Sequence, residues 1–81
     1  MTRLPRDIGG DELAAALVRL DYIIVRQAGS HLRLTTMRGG EHHVTLPRHS
    51  PIHVGTLGGI LAAVGAHAGM SRQELIEALF G

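Results

Sequence analysis

Residues 31–46, HLRLTTMRGGEHHVTL, alternate in a way that decides the fold. From His31 to Thr36, Leu32 and Leu34 share one face while His31, Arg33 and Thr35 share the other. Glu41 to Leu46 repeats the pattern, with Val44 and Leu46 against His43 and Thr45. Period-two alternation of this kind belongs to half-buried strands. The two apolar faces coincide when Leu34 pairs with Val44 and Leu32 with Leu46, and a one-residue slip would turn both pairs outward. That register predicts an antiparallel hairpin closed by a three-residue loop, Arg38-Gly39-Gly40, with glycine available for a left-handed position. It also sets Thr35 opposite His43 and Arg33 opposite Thr45. One face of the sheet is therefore polar and cationic.

Upstream, Leu13, Leu17 and Leu20 recur at helical spacing, so a helix is expected from about Gly10 to Leu20. Asp11 and Glu12 in its first turn and Arg19 in its last suit the helix dipole. Tyr22 to Arg26 is β-branched and apolar, a first strand, and Ala28-Gly29-Ser30 turns the chain into the hairpin. Downstream, Pro47 to Val54 carries two prolines and reads as a loop. Leu57, Ile60, Leu61 and Val64 mark a second helix that ends near His67, capped by Gly69. The apolar run Val54–Met70 is interrupted by five glycines and falls short of a membrane span, so it reads as a buried helix of a globular core. Ser71-Arg72-Gln73-Glu74 has the capping-box pattern and opens a third helix that turns Leu75, Ile76 and Leu79 inward. The order α-β-β-β-α-α predicts an α+β domain. It is a three-stranded antiparallel sheet with helices on one face and the other face open, and residues 1–81 form a single domain.

Composition narrows the function. With 81 residues and only Tyr22 and Phe80 as aromatics, the core is built from Leu, Ile, Val and Ala. A core this small makes association with a partner, or with a second copy, an expectation. There are no cysteines, hence no disulfides and no thiolate chemistry. The N-terminal MTRLPRDIGGDEL lacks the apolar centre of a signal peptide, so a cytoplasmic, non-membrane protein is expected. The net charge is only +1, but its distribution is uneven. Residues 22–56 hold Arg26, Arg33, Arg38 and Arg48 against Glu41 alone, a local +3. All eight cationic residues are arginine, the side chain suited to bidentate phosphate contacts. An anionic partner is favoured, and the lack of a stacking aromatic argues for backbone or shape recognition over base reading.

His31 stands directly after the Gly29-Ser30 bend. From the residues alone it is either a turn histidine that bonds the backbone or a chemical group on the open face. The six histidines also raise a metal site. Adjacent His42 and His43 point to opposite faces of a strand, however, and Pro51 keeps His49 and His53 off a common helix. No native metal and no cofactor are expected. His43 is a substrate contact or a second proton carrier, His42 a packed or edge residue, and His67 a helix-end residue.

Several stretches together resemble the HicA family of toxins from toxin–antitoxin systems. They are Gly29-Ser30-His31, Leu46-Pro47-Arg48-His49, and Gly55-Thr56-Leu57-Gly58-Gly59-Ile60-Leu61, with Leu13–Gln27 matching that family's first helix and strand. The resemblance implies a double-stranded-RNA-binding-like α-β-β-β-α fold, here with an extra C-terminal helix. It implies an endoribonuclease that cleaves mRNA without a metal, using a histidine of the second strand, and a HicB-type antitoxin that blocks it. That histidine is His31. Ser30, Arg26, Arg33, Arg38, His43, Arg48, His49 and Thr56 are the RNA-contact candidates. In place of the basic residues many relatives carry around the second helix start, this chain has His53-Val54 and Gly58-Gly59. The rival reading is a non-catalytic RNA- or protein-binding module of the same fold.

Overall fold

The computed structural model describes residues 2–81. Its elements run α1 (Gly10–Leu17, continued as a 3₁₀ turn Val18–Leu20), β1 (Ile23–Ala28), β2 (His31–Thr36), β3 (His42–Pro47), α2 (Val54–Ala68) and α3 (Arg72–Phe80). The fold is the α+β arrangement that the sequence predicts, with an antiparallel sheet in the order β1-β2-β3.

The hairpin has the expected register: Leu32 faces Leu46, Leu34 faces Val44, Arg33 faces Thr45 and Thr35 faces His43. Leu32, Leu34, Val44 and Leu46 are buried, whereas His31, Arg33, His43 and Thr45 are exposed. The loop is longer than expected. Pairing stops at Thr36 and His42, so Met37–Glu41 form the connection. The cause is Thr36, a buried residue whose hydroxyl donates to the Leu20 carbonyl at 3.2 Å and accepts the Arg38 N–H at 3.1 Å. Those two bonds draw the chain toward the end of α1, and Met37 swings into solvent instead of pairing with Glu41. At the other end of β2 the turn is tight. Gly29 adopts φ 58°, the positive value that a two-residue turn with glycine first requires.

The core lies between the sheet and the helices. Leu13 and Leu17 of α1, Leu57, Leu61 and Val64 of α2, and Leu75 and Leu79 of α3 close over the four strand residues, with Tyr22 beside them. Glu12 accepts the Gly9 N–H and starts α1, while Asp21, in the left-handed conformation at φ 63°, ends the 3₁₀ turn. Ser71 and Glu74 cap α3 reciprocally, as the pattern predicts. Those same bonds hold the Glu74 carboxyl below its ordinary pKa.

Two features depart from the sequence reading. α2 is not a buried helix: Val54, Gly55, Gly59, Ala62, Ala63 and Ala66 face solvent, and it begins at Val54 inside the expected loop. Only one side of α2 has anything to pack on. No single helix is long and apolar enough to cross a membrane, and α2 and α3 meet at a bend of 95°. The second feature is the N-terminal segment, to which the pattern assigns no element. Ile8 is buried and its carbonyl accepts the Ile52 N–H at 2.9 Å. Thr2 clamps to Glu77 of α3 through its backbone and hydroxyl, which lowers the Glu77 pKa.

Gly10 joins the helix layer to the end of β3. Its N–H donates to the His49 carbonyl, and a Cβ placed there would lie 2.1 Å from the Pro47 carbonyl oxygen. Gly10→Ala must therefore push two backbones apart, and chemical denaturation should show a loss of about 1–3 kcal/mol. Gly59, exposed within α2 and with nothing near its Cβ position, should behave in the opposite sense. Gly59→Ala should raise stability by about 1 kcal/mol in the same assay.

Candidate functional site

The sheet face turned away from the helices presents its side chains in three rows, each crossing the strands. His31 stands between Ala28 and Pro47, Arg33 between Arg26 and Thr45, and Thr35 between Ile23 and His43. A bulge at Val25 re-phases β1, so that Arg26 stands directly opposite Arg33. Successive rows are about 7 Å apart along β2, from the strand rise.

His31 is exposed, and among the described residues its ring makes no hydrogen bond. Its backbone is held by a chain of contacts that leads back to α1. The Ser30 carbonyl accepts the Arg48 N–H, the Arg48 guanidinium donates to Asp11 at 3.0 Å, and the His49 carbonyl accepts from Gly10. A free imidazole on a fixed strand end is a geometry for proton transfer to a bound molecule. Nothing bonds the ring to the backbone, which was the alternative for a histidine in this position.

The four arginines of the middle section divide into two pairs. Arg48 faces Asp11, and Arg38 lies 3.6 Å from Asp21. Arg26 and Arg33 have no carboxylate within salt-bridge distance among the described residues. Like charges directly opposite on one sheet face disfavour each other by some 0.2–1 kcal/mol. An anion between the two guanidinium groups reverses that sign. The remaining contact candidates stand apart. Ser30 is at the turn, His49 packs edge-on against His53 at 5.9 Å off the end of β3, and Thr56 is on the exposed first turn of α2. The start of α2 lies against residues 4–8 and Arg72, away from the rows.

His43 occupies the far row. It is four residues along from His31 in register, about 13 Å at the strand rise, so the two rings cannot serve one phosphorus atom. His43 is instead bonded on both sides, to the Thr35 hydroxyl through Nδ1 at 2.6 Å and to Glu41 through Nε2 at 2.8 Å. The pairing of Thr35 with His43 is legible in the hairpin register. The carboxylate at the end of the chain has the parity of His43 in the alternating run, but the pattern does not show its bond to the ring, which forms where the chain enters β3.

His42 faces the helix layer. Its Nδ1 is 2.7 Å from the hydroxyl of buried Tyr22, and its ring stacks on His67 with centroids 4.5 Å apart. His67 in turn donates from Nε2 to the Arg38 carbonyl at 3.0 Å. This stack fastens the C-terminal end of α2 to the hairpin loop. Helical and strand periodicity treat the two histidines separately, so nothing in either pattern pairs them. Among the described residues no three His, Asp or Glu side chains are grouped to hold a metal ion.

A model of the family described as HicA toxin of bacterial toxin–antitoxin matches residues 10–66, from the start of α1 to the last turns of α2. The chain belongs to that family, the toxins of toxin–antitoxin systems. No curated protein and no solved structure matches it.

The histidine stack carries a pH signature. Burial lowers the His42 pKa, and the neighbouring His67 and His43 lower it further. The folded chain thus binds fewer protons here than the unfolded chain. The contribution is complete above the ordinary histidine pKa and is lost as pH falls toward the lowered folded value. Melting temperature should drop between about pH 7 and about pH 5, across the ordinary histidine range, and His42→Gln should flatten that drop. An equal drop in both proteins would assign the pH dependence to other groups.

Proposed function

We propose that the open face is the active site of a metal-independent endoribonuclease that cleaves mRNA. The observation that carries this reading is the placing of an unbonded His31 one row from the opposed, unneutralised Arg26 and Arg33. The two guanidinium groups hold the scissile phosphate and stabilise charge on its non-bridging oxygens as it becomes five-coordinate. The ribose 2′-oxygen attacks phosphorus and its proton leaves to water. The bond from phosphorus to the 5′-oxygen breaks, and His31 gives that oxygen its proton. The products are a 2′,3′-cyclic phosphate and a 5′-hydroxyl. The donor set supports metal independence, because among the described residues the face carries one carboxylate, Glu41, and that group is engaged by His43.

Membership of a toxin family implies an antitoxin, and a HicB-type partner fits what the face and its edge expose. The outer strand β1 leaves Ile23, Ile24 and Val25 more than half exposed, beside Arg26 and Arg33. A protein that covers this edge buries the aliphatic run and shields the arginines from RNA in one contact. Ser30 and the helix start at Thr56 are secondary RNA contacts, the latter through free amide groups. The element order agrees with a double-stranded-RNA-binding-like fold, and the proposed mRNA substrate would place the chain in the cytoplasm.

His31→Ala should lower RNA cleavage by about 10²–10⁴-fold, the usual value of a general acid or base. It should abolish growth arrest while shifting stability by no more than roughly 0.5 kcal/mol, as for other exposed sites. Wild-type cleavage should survive EDTA and leave cyclic-phosphate ends. A His31→Ala protein that still cuts RNA, or strict dependence on Mg²⁺, overturns the assignment. RNA binding without cleavage by the wild type favours a non-catalytic binding module.

A further inference from the structure

Thr35, His43 and Glu41 form a bonded chain that the cleavage step does not use. It lies on the same face as His31, at the opposite end of the rows. We propose that Thr35 is a second contact for the RNA backbone, and that its hydroxyl is switched between acceptor and donor by the proton on His43. The inference rests on the ribonuclease reading of this face and adds a subsite to it.

The argument is an inventory of hydrogens. A neutral imidazole has one donor and one acceptor nitrogen, whereas an imidazolium has two donors. Glu41 as a carboxylate only accepts, so His43 donates to it from Nε2. In the neutral ring Nδ1 must then accept, and the Thr35 hydroxyl spends its hydrogen on it. Thr35 then shows solvent only lone pairs, which repel a phosphate oxygen. When His43 takes a proton, Nδ1 becomes the donor to Thr35. The hydroxyl hydrogen turns outward and can donate to a phosphodiester oxygen. An anion at Thr35 is therefore matched to the form of His43 that donates from both nitrogens, to Thr35 and to Glu41.

The surroundings favour this use. Thr35 is half-buried and His43 exposed, so an RNA strand lying across the rows can reach both. Arg26 and Arg33 are the neighbouring charges on the face, one row nearer His31. His42, behind the sheet with its stacked partner His67, is the other titratable group close to His43. A strand gripped at the arginine pair and again at Thr35 would be fixed in direction relative to His31. His43 and Glu41 are positioning residues in this scheme, and Thr35 makes the contact.

The test uses the full chain carrying His31→Ala, a short fluorescently labelled RNA and anisotropy titrations from about pH 8 to about pH 6, which span the histidine range. In that background Thr35→Val should weaken binding about tenfold at the acid end, the size of a hydrogen bond to a charged group. Near pH 8 it should change affinity by less than about twofold, within RT of no effect. Thr35→Ser should restore the acid-strengthened binding, and His43→Gln should remove it. The remaining histidines are common to the parent and the Thr35 variants, so the difference between those curves isolates this contact. Curves for Thr35→Val that coincide with the parent at every pH would overturn the subsite and leave a cross-strand brace. That result leaves the cleavage assignment standing, whereas a wild-type chain that neither binds nor cuts RNA removes both.

Discussion

Everything in this molecule depends on the pairing of Leu32 with Leu46 and Leu34 with Val44. Those four side chains are the sheet's share of the core, and the helices pack onto them. Because strand side chains alternate strictly, burying them forces His31, Arg33, Thr35, His43 and Thr45 to the opposite surface. The candidate functional face is thus a by-product of hydrophobic register. A slip of one residue would bury an arginine and two histidines, at a desolvation cost far above what a small domain can absorb.

The same logic explains what could be read from the sequence and what could not. Period-two alternation identified the hairpin, its register and the exposed position of His31. Capping chemistry identified the start of α3. The loop length was missed because it is set by a tertiary contact, the bond from Thr36 to Leu20, which no local pattern contains. The burial of α2 was misread for a related reason. Its composition is apolar nearly throughout, yet burial depends on how many neighbours exist, and a domain with one sheet covers only one side. Ile8 lay in a segment without periodicity, and its place in the core came from docking against Ile52. At the site, side-chain type and face were legible. The partners were not: the loss of Arg38 and Arg48 to carboxylates, and the His42–His67 stack, join residues far apart in the chain.

Those partners matter more to the electrostatics than the net charge does. A chain of net charge +1 has little long-range field to steer an anionic partner toward it. The structure compensates by distribution. Asp11 and Asp21 engage the two arginines at the margins of the hairpin, and the two at its centre stay unneutralised on one row. The marginal ion pairs are exposed and contribute little stability. Their effect is geometric. Asp11 holds Arg48, Arg48 holds Ser30 through the backbone, and Ser30 precedes His31.

Local rules of stability are broken in one region of the surface. Among the described residues Arg26 and Arg33 stand opposite each other with no carboxylate in salt-bridge reach, and β1 offers solvent an edge with three aliphatic side chains in sequence. Soluble proteins usually blunt such an edge with charge, proline or a covering element. Here the bulge at Val25 bends the strand but leaves the run exposed. Conflicts between local and global preference concentrate where function requires them. Both conflicts would be relieved from outside under the proposed function, the like charges by a phosphate and the aliphatic edge by an apolar partner surface. Because they adjoin, one ligand cannot be accommodated without affecting access for the other. In the ribonuclease reading proposed above, that adjacency sets RNA and antitoxin in competition for one face of a sheet of 18 strand residues.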